Sequence, residues 1–170
     1  MPLHKYDVII VGAGPVGFSC GIEAAKREVS CLMLDKGCLV NSIFHFPTNM
    51  TFFSTSERLE IGGVPFISHG YKPTRREALE YYRRVCETWR LNVKQHEAVV
   101  EVRGEEGDFT VITTRQEYHA SAVIIATGFY DNPNLLNIPG ENLSKVKHYF
   151  DEPHPYSYRK IVVVGAGNSA

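Results

Sequence analysis

The stretch Tyr6-Asp7-Val8-Ile9-Ile10-Val11-Gly12-Ala13-Gly14-Pro15-Val16-Gly17 decides the fold. Its run from Val8 to Val11 is β-branched and has no polar break, which suits a central parallel strand buried on both faces. The Gly-x-Gly-x-x-Gly turn then converts strand into helix, and each glycine has its own reason. Gly12 permits the tight turn. Gly14 removes the side chain that would hold a pyrophosphate away from backbone N–H groups, and Gly17 lets the helix pack closely on the strand. A phosphate at that helix N-terminus meets unpaired N–H groups and the positive end of the macrodipole.

Alone, such a turn can be purely structural, so its context matters. From Pro15 to Glu28 the sequence reads as a helix with Phe18, Ile22 and Ala25 on one face. A second buried strand, Val29 to Leu34, ends at Asp35, 18 positions past Gly17. A βαβ unit of this size places there the acid that accepts hydrogen bonds from a ribose hydroxyl. Strand, glycines, helix, strand and acid in that order imply a bound dinucleotide.

A chain of 170 residues holds one domain, or one domain and a piece of another. The formal net charge of −1 gives no electrostatic case for nucleic acid or an anionic membrane. The N-terminus runs almost directly into a core strand, with no charged leader, and no apolar run approaches a membrane span. A soluble cytoplasmic protein is expected. The four cysteines, Cys20, Cys31, Cys38 and Cys86, show neither Cys-x-x-Cys nor metal-ligand spacing, so no metal site is expected. They read mostly as small buried hydrophobes.

Beyond Asp35, the segment 36–70 has little periodicity and many aromatics: Phe44, Phe46, Phe52 and Phe53 alternate with polar Asn41, Ser42, Asn49, Thr51 and Ser54. A long irregular segment in a compact domain is usually functional, and a cofactor ring could order it; an aromatic mini-core is the alternative. Thr74-Arg75-Arg76-Glu77 is a capping box that starts a helix, with Leu79, Tyr82, Val85, Cys86 and Trp89 on its core face. A short strand from Leu91 to Lys94 follows. Strands at Val99 to Val102, Phe109 to Thr114 and near Tyr118 then read as an antiparallel meander. Ala122 to Gly128 reads as another buried strand, ending in Ala126-Thr127-Gly128.

Turn signals such as Asp131-Asn132-Pro133 and Ile138-Pro139-Gly140 then mark a crossing segment. Ile161-Val162-Val163-Val164-Gly165-Ala166-Gly167-Asn168-Ser169-Ala170 repeats the opening logic: buried strand, glycine turn, incipient helix. The expected fold is α/β, a Rossmann-like FAD/NAD(P)-binding domain with a parallel sheet and a small antiparallel β-meander. It stops at the start of a second dinucleotide-binding unit, which reads as the N-terminal portion of a longer enzyme. The expected boundaries are 1–130 for the FAD-binding portion, 131–157 for the crossing and 158–170 for the start of the NAD(P)H-binding unit. Two such motifs around a meander point to a flavoprotein.

Several further stretches carry a resemblance: Asn41-Ser42-Ile43, Pro47 to Ser54, Glu60-Ile61-Gly62-Gly63-Val64-Pro65-Phe66, and Ala126-Thr127-Gly128 with Tyr130-Asp131-Asn132-Pro133. Together they resemble the bacillithiol-disulfide reductase family, in the thioredoxin-reductase-like branch of the FAD-dependent pyridine nucleotide-disulfide oxidoreductases. The resemblance implies that Gly12, Gly14, Pro15, Val16 and Gly17 hold the FAD pyrophosphate, and Asp35 with Lys36 the adenosine end. It sets Asn41, Ser42, Met50 and Thr51 beside the flavin, Val99 at the adenine, and Ala126, Thr127 and Gly128 closing the site. Gly165, Gly167, Asn168 and Ser169 would begin the NADPH site. The implied reaction passes hydride from NADPH through FAD to a small-molecule disulfide, such as bacillithiol disulfide, or to another electron acceptor. No nucleic acid or membrane partner is implied, and a homo-oligomer is left open.

This sequence departs from the family in one respect: Val16 stands where the family commonly has a cysteine between Pro and Gly. Valine forms no thiolate and enters no disulfide exchange, so no catalytic residue is assigned. Cys20, one turn further on, and Cys38, near the adenosine end, are poor replacements. His45 reads as structural. His148 and His154, with the aromatics before a Gly-x-Gly-Asn-Ser-Ala motif, also resemble flavin monooxygenases, the alternative reading. A non-catalytic cofactor-binding module is the alternative for these residues taken alone.

Overall fold

In the computed structural model, residues 5–167 are described. One six-stranded sheet runs in the order β3 (Val93–Lys94), β2 (Cys31–Leu34), β1 (Lys5–Val11), β6 (Glu117–Ile125), β5 (Asp108–Thr113), β4 (Val99–Glu105). β1, β2, β3 and β6 are mutually parallel. β4, β5 and β6 form an antiparallel meander. The parallel sheet and the meander therefore share β6. Its first residues pair with β5, and from His119 onward it also pairs with β1, as far as Ile125 beside Val11.

The apolar run of β1 is buried on both faces, as its composition requires. Ile10 joins Phe18, Ile22 and Met33 on one side; Ile9 joins Leu32, Leu34 and Val111 on the other. α1 (Pro15–Lys26) and α4 (Arg75–Thr88) cover the first side. Phe18 of α1 meets Tyr82 of α4 edge-on, with centroids 6.3 Å apart. Tyr81 stacks flat on Phe66 at 4.2 Å, and its hydroxyl accepts from the Ile61 N–H at 2.7 Å and donates to the Val64 carbonyl at 3.0 Å. Each such buried aromatic stabilises by about 1.5–3 kcal/mol through burial alone, and here the polar tip is satisfied as well. α4 begins at the capping box the sequence predicts: Thr74 accepts from Glu77, and Glu77 accepts from Thr74. Besides the expected stripe, Ala78 and Tyr81 are buried on the same face.

Four local expectations need correction. α1 ends at Lys26, not Glu28, because Glu28 takes a left-handed φ of 55°. β2 therefore starts at Cys31, after the turn, not at Val29. The third meander strand and the Ala122 strand are one continuous β6, and its far end is not buried: Ile125 is 64 % exposed. Among the described residues, β5 stops pairing at Ala120 and no strand covers that edge further on. Ile161 to Val164 forms no strand and is exposed, because an extended segment becomes a strand only through a ladder partner. Asn168, Ser169 and Ala170 lie outside the described residues.

Segment 36–70 holds two single-turn helices, α2 (Asn41–Phe44) and α3 (Ser56–Leu59), joined by loops. The crossing after β6 contains one 3-10 turn, His154–Tyr156.

Candidate functional site

The three glycines of the first turn have three different surroundings. A Cβ on Gly12, whose φ is 110°, would lie 2.4 Å from the Ala126 carbonyl oxygen. One on Gly17 would lie 2.0 Å from the Gly12 carbonyl oxygen. Neither position admits a side chain. At Gly14 a Cβ would meet nothing within 4 Å. Gly12 and Gly17 are thus glycines of close packing, whereas Gly14 faces open space, as the approach of a phosphate would require.

Neighbouring strands hold the turn. Gly12 N–H donates to the Leu34 carbonyl at 2.7 Å, and Ala126 N–H donates to the Val11 carbonyl at 2.8 Å. Helix α1 starts at Pro15 with Gly14 as N-cap and no side-chain cap, leaving the first-turn N–H of Val16 to an outside partner. Val16 itself is 67 % exposed.

Asp35 is tied into this turn. One carboxylate oxygen accepts from the Ala13 N–H and the other from the Gly37 N–H, both at 2.8 Å. A carboxylate has about four lone-pair sites, so capacity for a hydroxyl donor remains. Lys36 pairs with Asp131 at 2.6 Å. Val99 lies two residues past Glu97, whose N–H donates to the Asp35 carbonyl at 2.8 Å, so the start of β4 stands at the Asp35 end of the sheet.

Sequence reasoning missed Val40, the hinge between the turn and α2. Its N–H donates to the Ala13 carbonyl at 3.0 Å, and it sits at φ 47°, a strained conformation for a β-branched residue. Asn41 turns its side chain toward the Gly37 turn, where its Oδ1 accepts from Cys38 Sγ at 3.6 Å. Ser42 follows on α2. Met50 and Thr51 come alongside the start of α4: the Met50 carbonyl accepts from the Arg75 N–H at 2.9 Å, and Thr51 bridges to Thr74. Arg75, also missed, donates to the carbonyls of Ile43 and Phe44 and lies over the Phe44 ring.

The fold therefore gathers Gly12 to Gly17, Asp35, Val40, Asn41 and Ala126 around one turn. Thr127 and Gly128 continue from Ala126, with Gly128 at φ 64° and open space before it. Gly165 and Gly167 stand apart on an exposed segment that belongs to no strand. An apolar groove of about 460 Å³ along α1, lined by Val8, Cys20, Ala24, Val29 and Ile124, contains none of the residues expected to bind cofactor.

All four cysteines are free and partly buried, and burial pushes the Cys31 thiol up to about 11 and those of Cys38 and Cys86 upward. No group of His, Cys, Asp and Glu among the described residues could hold a metal. No described helix is long and apolar enough to cross a membrane.

The family model for pyridine nucleotide-disulphide oxidoreductases matches residues 9–170. The chain belongs to that family. Among curated members of related sequence, Bacilliredoxin reductase Bdr of Bacillus subtilis is 45 % identical over 163 residues, 95 % of this chain and 50 % of the relative. Among solved structures, Bacillithiol Disulfide Reductase Bdr from Staphylococcus aureus superposes with a TM-score of 0.88 at 44 % identity, over 91 % of this chain and 48 % of that one. A flavin-containing monooxygenase from Stenotrophomonas maltophilia gives 0.67 at 26 % identity, over 74 % and 39 %. The chain thus spans about half the length of the two Bdr relatives.

Proposed function

We propose that these residues are the FAD-binding portion of an NADPH-dependent reductase of low-molecular-weight disulfides, bacillithiol disulfide first among them. The observation that carries the reading is the contrast at the glycine turn, where Gly12 and Gly17 are sealed by backbone and Gly14 faces open space. Identity of 44 % to the Bacillithiol Disulfide Reductase Bdr from Staphylococcus aureus supports the acceptor class.

In this reading Gly12, Gly14, Pro15, Val16 and Gly17 receive the pyrophosphate, and Asp35, Lys36 and Val99 the adenosine end. Asn41, Ser42, Met50, Thr51, Ala126, Thr127 and Gly128 surround the ring. Bound FAD would supply two-electron hydride chemistry. The chain's own work is to bind and orient: α1 directs N–H groups at the phosphates, and Asp35 fixes the turn while accepting from ribose. Within residues 1–170 no thiol is assigned a redox role: Val16 has none, Cys20 lies a turn further along α1, and burial pushes the Cys31, Cys38 and Cys86 thiols upward, toward the protonated form. Residues 1–130 form this unit, 131–157 the crossing and 158–170 the start of the NADPH-binding unit, with Gly165, Gly167, Asn168 and Ser169 in its glycine turn. A cytoplasmic enzyme is proposed, the compartment that supplies NADPH.

The test is stopped-flow on the full-length protein with FAD bound, reduced anaerobically by NADPH or NADH. It is then mixed with bacillithiol disulfide, with an oxidised bacilliredoxin, or with oxygenated buffer. Rapid reoxidation by bacillithiol disulfide is expected. Response to the protein disulfide alone would move the acceptor class from small molecule to protein. Reoxidation by oxygen through a long-lived flavin adduct, with neither disulfide reacting, would overturn the reading in favour of a monooxygenase.

A further inference from the structure

The crossing after β6 does not lead straight away from the FAD-binding unit. It folds back over the loop of residues 36–53 and touches it at several places. Tyr130 donates its hydroxyl to the His45 carbonyl at 2.9 Å, and Tyr149 donates its own to the Tyr130 carbonyl at 2.6 Å. Further along, Thr48 N–H donates to the Asp151 carbonyl at 2.8 Å. Four rings form a continuous ladder beside these bonds: Phe52 to Phe46 at 6.2 Å, Phe46 to Tyr130 at 4.9 Å, and Tyr130 to Tyr149 at 5.1 Å.

These contacts solve a local problem. α2 is a single turn, and its last carbonyls have no partner within the helix. The Ile43 carbonyl accepts from the Phe46 N–H at 3.1 Å and also from Arg75, which takes that of Phe44 from the α4 side as well, and Tyr130 takes that of His45 from the crossing. Met50 and Thr51 lie just past the Thr48 contact, and Asn41 and Ser42 just before the His45 contact. All four are residues assigned above to the flavin. The Lys36–Asp131 ion pair joins the same two segments, but both side chains are substantially exposed, so solvent leaves it a minor contributor.

We propose that Tyr130 and Tyr149 are positioning residues for the cofactor loop, acting in series: Tyr149 fixes the main chain of Tyr130, and Tyr130 fixes the His45 carbonyl and the Phe46 ring. The crossing has no regular structure of its own between Phe129 and Pro153. Its path over the loop is set by these side-chain contacts, and the two hydroxyls reach main-chain carbonyls in preference to solvent. Burial holds the Tyr130 hydroxyl protonated above the ordinary tyrosine range, so its bond persists through neutral and mildly alkaline pH. The inference rests on the flavoprotein reading.

The experiment compares FAD binding to the full-length apoprotein, by flavin fluorescence, for wild type, Tyr130→Phe, Tyr149→Phe and the double variant. Each single change removes one hydroxyl and keeps the ring, so the fold survives. Each is expected to weaken FAD binding about fivefold, the size of one net hydrogen bond, and to alter the bound flavin spectrum. Because the bonds act in series, the double variant should be weaker than either single by much less than the product of the two effects. Unchanged FAD affinity in both singles, with only the melting temperature lowered, would overturn the proposal. Independent, multiplying effects would overturn the series. A wild-type protein that takes up no FAD would overturn the flavoprotein reading, and the clamp with it.

Discussion

Ala13 N–H points at the Asp35 carboxylate across 2.8 Å, so the acid at the end of β2 also holds the glycine turn at the end of β1. Its second oxygen holds Gly37 at the same distance. Asp35→Asn can keep one of these bonds, but its amide then presents a donor to the other N–H. A buried or half-buried donor left unpaired costs about 1–3 kcal/mol. Urea unfolding should show that loss, and FAD affinity should fall at least tenfold. An unchanged unfolding midpoint would show that the turn does not depend on this acid.

Gly14→Ala and Gly17→Ala separate binding from folding. Alanine at Gly17 must displace the Gly12 carbonyl, 2.0 Å from the new Cβ, and is expected to destabilise the fold by more than about 2 kcal/mol. Alanine at Gly14 enters open space and costs well under that, while obstructing the pyrophosphate. Thermal melting and FAD titration read the two effects: a strongly reduced melting temperature for Gly17→Ala, and a near-normal one with impaired FAD uptake for Gly14→Ala. A Gly14→Ala variant that binds FAD normally would remove that position from the site.

Thr74→Ala should destabilise the protein by about 1 kcal/mol, the usual value of an N-cap, since it breaks the capping box that starts α4. The effect has a pH signature. The N–H groups of His69 and Thr74, and then the Thr74 hydroxyl, hold the Glu77 carboxyl below its ordinary 4.5. A carboxyl depressed in the folded state stabilises above its unfolded pKa and loses that contribution as pH falls through the folded value. The stability gap between wild type and Glu77→Ala should therefore be flat from pH 6 to 8 and narrow below about 4.5. A gap that stays constant down to pH 3 would show that the charge of Glu77 is irrelevant.

Thiol chemistry gives the sharpest functional test. In the full-length protein, replacing Cys20, Cys31, Cys38 or Cys86 by alanine should leave NADPH-driven disulfide reduction intact, and iodoacetamide at pH 7.5 should not inactivate it through any of these four. Val16→Cys should change this: an exposed thiol at a helix N-terminus ionises readily, and activity should become sensitive to the reagent. Cys31 should resist alkylation up to about pH 9. Above that the unfolded chain ionises it while the folded one does so only near 11, so stability should decline from pH 9 upward, and Cys31→Ala should blunt the decline. Loss of activity in any of the four alanine variants would point to a reactive cysteine after all.

The local chemistry of the sequence was enough for the opening strand and turn, because a β-branched run followed by Gly12, Gly14 and Gly17 leaves the backbone few choices. The capping box at Thr74 is local in the same way, and so is the placement of Asp35 one βαβ unit on. Partners distant in sequence set the remainder. Whether β6 is one strand or two depends on β1 lying beside both halves, and whether Ile161 to Val164 becomes a strand depends on a ladder partner absent among the described residues. Val40 gives no signal in sequence, since a valine at φ 47° is disfavoured by its own chemistry and persists only where the surrounding fold imposes it. Tyr130 and Tyr149 look like any surface tyrosines until the crossing returns over His45, 85 positions from Tyr130 in the chain. The sequence by itself determined the βαβ frame and the glycine turn, because their causes lie within a few residues of one another. Tertiary structure alone decided how the loop beside that turn is held, because its hydrogen-bond donors, Arg75 and Tyr130, come from far along the chain.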